Sequence, residues 1–263
     1  MNNNLNFNKN GILIKKNFLK KKQKDLVKMV FREYFRKICY PHLEKNNFNI
    51  EDAEIQKKII KYRAKFSKKF GTIYDDLKLN ANLRSIFYDK LFIDLFANIL
   101  GVNESRVFLN GFMFRFDAPF DQRNTLNWHQ DSAYYQQTYP KFNAGVCWLG
   151  LTKNTEKNGT LVYIPKSNKN FVKNLSRSKK NKFHSELLRI KITKKEDLKT
   201  RNANTNFGDA LIMHMNTKHR SGINTSGKIR MTLGVRFHDM SKGFHSGKEL
   251  YFYNKINKPK LII

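Results

Sequence analysis

Asn127-Trp128-His129-Gln130-Asp131-Ser132-Ala133-Tyr134-Tyr135 sets a histidine two residues before an aspartate in aromatic surroundings. Side chains two apart on a strand share a face. Read as a strand from His129 to Tyr135, the segment therefore turns His129 and Asp131 one way and Trp128 and Gln130 the other. An imidazole and a carboxylate presented together are two of the three ligands in the two-histidine, one-carboxylate set that holds non-haem Fe(II) and leaves positions open. A His-x-Asp triplet is common, and an ordinary histidine–carboxylate hydrogen bond accounts for it equally well. The set needs a second histidine, and the chain offers two. His214 ends the apolar run Ala210-Leu211-Ile212-Met213, where a core histidine is the plain explanation. His219 lies in the polar stretch Lys218-His219-Arg220-Ser221-Gly222, where an exposed loop histidine is the plain explanation.

Arg230 adds a second kind of chemistry. It falls in Ile229-Arg230-Met231-Thr232-Leu233-Gly234-Val235-Arg236-Phe237, and a guanidinium among apolar residues is costly unless it meets an anion. Its fork can hold a carboxylate through two parallel hydrogen bonds. A dicarboxylate cosubstrate would supply that anion. A protein carboxylate such as Asp209 would make Arg230 structural instead.

The elements that must position these groups divide at Gly101. Before it, a short strand over Gly11–Lys16 leads to helical spacing from Gln23 to Ile38 (Leu26, Met29, Val30, Tyr34, Phe35, Ile38), which Pro41 soon stops. Glu51–Phe66 is a second helix, and a third runs from Ala81 to Leu100, capped by Asn80 and ended by Gly101. After Gly101 the chain turns aromatic and β-prone, with strands over Val107–Phe116, Gly145–Leu151, Thr160–Ile164, Ala210–His214 and Lys228–Phe237. Asn158-Gly159 marks a tight hairpin. Residues 166–202 are rich in lysine and asparagine and read as a mobile surface insert of the kind that serves as a lid. Short, closely spaced strands predict a sandwich or barrel.

Composition bounds the rest. The chain has 263 residues, 40% of them hydrophobic and 13% aromatic, enough for a full core in a single domain. The formal charge is +30, from 51 Lys and Arg against 21 Asp and Glu. The lysines are spread along the chain and no aromatic-interleaved basic motif accompanies them, so no specific nucleic-acid partner is expected. The charge reads as compositional drift that favours anionic small molecules. Cys39 and Cys147 form neither a disulfide framework nor a zinc spacing, and no apolar run approaches the ~18 residues of a membrane span. No leader is visible, and a cytoplasmic setting is expected.

Taken in order, these motifs resemble the phytanoyl-CoA dioxygenase family of Fe(II)/2-oxoglutarate oxygenases. Trp128-His129-Gln130-Asp131 is similar to the family's iron motif. His219-Arg220-Ser221-Gly222-Ile223-Asn224 is similar to its distal His-x-Ser-x-x-Asn motif. Glu156-Lys157-Asn158-Gly159-Thr160-Leu161 with Ile164-Pro165 is similar to its hairpin, and Gly208-Asp209 to the turn before the distal strand. The family's Pro-Gly-Ser-His stretch is here Pro165-Lys166-Ser167-Asn168. The resemblance implies a double-stranded β-helix (a cupin-like jelly roll), mainly β, over 1–263, with an opening strand and supporting helices over about 1–100 and the β-core from about 101. It implies a hydroxylase that uses Fe(II), 2-oxoglutarate and O2, with His129, Asp131 and His219 as iron ligands and Arg230 on the far carboxylate of 2-oxoglutarate. Ser221, Trp148 and Arg115 are further candidates beside the cosubstrate, and Tyr134 and Tyr135 for the substrate wall. Two alternatives stand beside it: a basic binding protein on the same scaffold without turnover, and a metal protein, with zinc for example, that has no oxygen chemistry.

Overall fold

The computed structural model describes residues 3–39, 49–121, 125–133, 143–172, 176–178 and 187–239. Its elements are α1 (Asn3–Asn10), β1 (Ile12–Lys15), α2 (Lys21–Cys39), α3 (Ala53–Lys65), α4 (Ser67–Leu79), α5 (Ala81–Tyr88), α6 (Lys90–Leu100), β2 (Val107–Asp117), β3 (Ala144–Gly150), β4 (Leu161–Tyr163), β5 (Ser176–Ser178), β6 (Leu187–Arg189), α7 (Lys194–Asp197), β7 (Arg201–Asn202), β8 (Ala210–His214), β9 (His219–Ser221) and β10 (Arg230–Asp239). Two antiparallel sheets carry the architecture. One has the strand order β1-β8-β3-β10-β2 and the other β7-β4-β9, and β5 and β6 form a separate pair. This is the expected jelly roll with helices on one side.

The helices follow from their caps and stripes. The Asp52 carboxylate accepts from Glu54 N and Ile55 N to start α3, and the Asn80 side chain accepts from Leu83 N to start α5. The expected continuous helix over Ala81–Leu100 is instead two. Asp89, extended at ψ 140, accepts from Leu91 N and starts α6 anew, because a short acidic side chain competes well for the first free N–H groups of a helix. Gly101 ends α6 in the left-handed region at φ 67. The buried stripe of α2 is Val27, Val30, Phe31 and Phe35, whereas Met29, expected on that face, points to solvent. Helix α4 was not expected; it buries Phe70 and Leu77 and contributes Tyr74, whose ring lies 5.7 Å from that of Phe114.

Strand alternation decides which face of the larger sheet does what. Phe114 and Phe116 on β2, Cys147 and Leu149 on β3, Ala210 and Ile212 on β8, and Met231, Leu233, Val235 and Phe237 on β10 are buried in one apolar core with the helices. Phe237 stacks on Phe96 of α6 at 4.2 Å. The intervening residues, among them Met113, Arg115, Trp148, Leu211, Arg230, Thr232 and Arg236, line a cavity on the other face. The smaller sheet closes this cavity with Leu161, Arg220 and Ser221.

The expected strand over His129–Tyr135 is not formed. His129 makes a single antiparallel bridge with His219, and Asp131–Ala133 turn into one 3-10 turn. Tyr134 and Tyr135 lie outside the described residues. The insert at 166–202 is partly described, and its described ends are tied down: Ile190 N donates to Trp128 O at 2.9 Å, and Glu196 pairs with Lys218 at 2.5 Å.

Candidate metal centre

The bridge between His129 and His219 exchanges both backbone bonds, His129 N to His219 O at 2.9 Å and His219 N to His129 O at 3.0 Å. Residues so paired present their side chains on the same side, and the two imidazole centroids are 4.1 Å apart. The 3-10 turn then brings Asp131 back beside them. Its Oδ1 lies 3.5 Å from His129 Nε2 and 3.7 Å from His219 Nε2. The same-side placement expected from strand alternation thus holds, but a bridge and a turn produce it. All three residues are buried, and their ligand atoms fall within 4.8 Å of one another.

Tautomer and charge suit this set to a divalent metal. His129 Nδ1 contacts Asn127 O at 2.7 Å and His219 Nδ1 contacts Thr217 O at 2.9 Å. A carbonyl accepts a proton there, which leaves each Nε2 as a lone pair aimed at the centre. Burial, with the neighbouring His129 ring second, pushes the His219 imidazole down to about 3, so it is neutral and able to ligate at ordinary pH. Burial alone would raise the Asp131 carboxyl. The Arg236 guanidinium, followed by His129 and His219, overrides it and holds Asp131 below its ordinary range, as an anion. Two imidazoles and one carboxylate, closed in on one side and open to a cavity on the other, fit Fe(II).

His214 is not part of this group. Leu211 of β8 lines the cavity, so His214, three residues along, faces the opposite side. Its ring packs 5.4 Å from Phe7, its Nδ1 accepts from Asn216 N, and burial lowers its pKa to about 4.

The cavity has a volume of about 290 Å³, and a second set of charges sits away from the ligands. Arg230 is buried and forms an ion pair with Asp117, its cross-strand partner. Its Nε is buried without a hydrogen-bond partner, an unmet donor beside a cavity. Arg115 donates to Ser221 Oγ at 3.2 Å and stands 3.6 Å from Asp117. Ser221 Oγ also accepts from Leu126 N. Trp148 lines the cavity, lies over Gly234, where a Cβ would come within 2.5 Å of its ring, and faces the Arg115 guanidinium at 6.0 Å. The suggested structural partner of Arg230, Asp209, is committed elsewhere. It accepts from Lys16 Nζ at 2.8 Å, Asn17 N at 2.7 Å and Asn206 N at 2.8 Å, tying β1 to the turn before β8.

Three participants were not foreseen. Asp117 and Arg236 were visible only as charges inside apolar strands, the same signal that singled out Arg230. Gln130 sits between His129 and Asp131 and is fully buried. Its Nε2 donates to Asn170 O and Asn216 O, and its Oε1 accepts from Val172 N.

The sequence profile of the phytanoyl-CoA dioxygenase family (PhyH) matches residues 7–232. No curated protein matches the chain. Among solved structures, EvdO2 from Micromonospora carbonacea var. aurantiaca, complexed with 2-oxoglutarate, is 14% identical with a TM-score of 0.60, covering 90% of this chain and 89% of that one. EctD from S. alaskensis with bound Fe is 15% identical with a TM-score of 0.56, covering 91% and 78%. The Ni complex of the non-heme monooxygenase ThoJ is 16% identical with a TM-score of 0.54, covering 90% and 77%. At these identities the likeness is one of fold.

Proposed function

Because the chain belongs to the phytanoyl-CoA dioxygenase family and is thus a 2-oxoglutarate-dependent oxygenase that uses Fe(II), we propose that it hydroxylates an unactivated C–H bond of a small, anionic substrate, with iron held by His129, Asp131 and His219. The observation that carries this reading is the convergence of two Nε2 atoms and one carboxylate oxygen on a single buried point beside a cavity. Iron bound there supplies O2 activation: substrate C–H, O2 and 2-oxoglutarate give C–OH, succinate and CO2.

The protein binds, orients and shields. Backbone carbonyls at Asn127 and Thr217 lock the two imidazoles in the ligating tautomer. Arg230 takes the far carboxylate of 2-oxoglutarate, its fork kept in place by Asp117, and the buried Nε is a donor awaiting that anion. Arg115, braced on Ser221, adds a second cation at the same end, and Trp148 walls the channel between that end and the metal. The helices and the apolar face of the sheet keep bulk water from the far side. Arg220, Arg236 and Lys78 also line the cavity, which favours an anionic substrate. We read the whole chain as one oxygenase unit. The two buried free thiols, Cys39 and Cys147, suit a reducing, cytoplasmic setting.

The test is anaerobic titration of the protein with Fe(II) and 2-oxoglutarate. A weak visible charge-transfer band that needs both additions, followed by succinate release on admitting O2, is the expected result. No band and no succinate would leave the binding-protein and zinc readings in its place.

A further inference from the structure

Arg236 lies six residues beyond Arg230 on β10, so at ~3.3 Å per residue the two are some 20 Å apart along the strand. They serve different ends of the cavity. Arg230 faces Asp117; Arg236 faces the metal ligands, with its NH2 3.8 Å from Asp131 Oδ2. The two oxygens of Asp131 are therefore differentiated. Oδ1 looks toward both imidazoles, and Oδ2 looks toward a guanidinium.

The approach of Arg236 is built into the sheet. Between Gly234 and Arg236 the pairing of β10 with β2 slips from Met113 to Asn110, so Gly111 and Phe112 bulge opposite Val235. Gly111 takes φ +56, a Cβ on it would stand 2.8 Å from Arg236 NH1, and its carbonyl accepts from that same NH1 at 3.4 Å. Strand alternation turns Arg236 to the cavity face, and the bulge with its left-handed glycine on the neighbouring strand opens space beside it. Here it makes room for the guanidinium, which Gly111 O meets on one side and Asp131 on the other.

Resting on the iron reading above, we propose that Arg236 is a positioning residue that holds Asp131 to ligation through one oxygen. A divalent ion sharing both carboxylate oxygens would have to move toward Oδ2 and thus toward a second cation in a buried site, where like charges repel strongly. With the ion on the Oδ1 side, two imidazoles and one oxygen fill three positions and a chelating 2-oxoglutarate two more. The sixth stays available for O2. With both Asp131 oxygens bound, all six are filled before O2 arrives.

The test compares wild type with Arg236→Met, Arg236→Lys and Gly111→Ala. In zinc-loaded crystals the wild type should show one Asp131 oxygen within about 2.2 Å of the metal, and Arg236→Met should show both oxygens bound. Loaded anaerobically with Fe(II) and 2-oxoglutarate, all four proteins should give the visible band. The yield of the nitric oxide adduct, read by its paramagnetic resonance signal, should fall at least 10-fold in Arg236→Met and recover in part in Arg236→Lys. Gly111→Ala leaves every charged residue in place and should fall between the two. One-oxygen ligation and undiminished nitric oxide binding in Arg236→Met would overturn the proposal while leaving the oxygenase reading intact. A wild type that takes up no metal would overturn both.

Discussion

On the helix side of the five-stranded sheet, Phe114, Phe116, Leu149, Ile212, Leu233 and Phe237 pack into one apolar core. One residue along the same strands, Arg115, Arg230 and Arg236 turn the other way into the cavity, with Asp117 paired to Arg230. The helix face is stabilised by area alone, about 1.5–3 kcal/mol for each large apolar side chain, and no single contact there decides anything chemical. On the cavity face charge must answer charge. Removing one member of a buried pair leaves the other exposed to a medium that cannot solvate it, at a cost of about 3–5 kcal/mol. A strand pattern in which apolar residues alternate with buried charges therefore marks a sheet that is a foundation on one side and a reaction vessel on the other.

The comparison breaks most sharply at a proposed ligand. His219→Ala should weaken Fe(II) binding by more than the roughly 100-fold typical of losing an outer-sphere partner, while the chain still unfolds cooperatively in urea. Phe237→Ala, on the helix face, should cost about 3–5 kcal/mol of unfolding free energy and leave the iron affinity of the folded protein unchanged. Equilibrium dialysis with metal, beside urea melts of both variants, separates the two. Loss of iron from Phe237→Ala under folding conditions would mean that the faces are not independent.

At the Arg230 end the two roles meet in one residue. Arg230→Lys keeps the charge and loses the fork, so KM for 2-oxoglutarate should rise with iron still bound. Arg230→Ala should weaken cosubstrate binding further, by about 2–5 kcal/mol, and lower Tm, because Asp117 loses the nearer of its two guanidinium neighbours. A fall in Tm with KM unmoved would assign the pair to stability alone.

The smallest effect belongs to His214, on the helix face five residues before a ligand. Burial depresses its pKa to about 4 from an ordinary 6.5, so between those values the unfolded chain binds more protons. Stability is then full above about pH 6.5 and falls as the pH drops toward 4, by at most about 1.4 kcal/mol per pH unit. His219 is shifted in the same direction and contributes its own slope. Metal-free His214→Asn should lose only the His214 part and show a shallower decline, with iron affinity as in wild type. An identical acid profile, or lost iron, would contradict the assignment.

How much of this the sequence disclosed follows the range of the interactions. The strands of the large sheet, the capping by Asn80 and the stop at Gly101 were legible because each depends on a few neighbouring residues. That His129, Asp131 and His219 come together was legible because their motifs are local and fall in a telling order. The break at Asp89 was missed although the aspartate was in view, since propensity alone does not say when a cap beats continuation. Helix α4 carries Phe70, Ile73, Tyr74 and Leu77 at helical spacing and could have been found by the same count that found α2. The pairing of Arg230 with Asp117, 113 residues away, could not, because any of several acidic residues was available. The departure at Lys166 has a local reading. It sits in the left-handed region at φ 61, where a glycine would be at ease, and its neighbours serve the frame: Asn168 donates to Asn8 O and Ser167 accepts from Lys218 N.

Gln130 ties three separate stretches of chain to one amide: the ligand segment it belongs to, the start of the insert at Asn170 and Val172, and the approach to His219 at Asn216. The insert returns to the same neighbourhood when Ile190 bonds to Trp128. For loop exchange this is a splicing rule. Whatever lies between Val172 and Ile190 should be exchangeable without disturbing the placement of His129, Asp131 and His219, provided that the anchors at 170, 172 and 190 are retained. The insert and the geometry of the His129–Asp131–His219 cluster can thus diversify separately, with one buried glutamine as the seam.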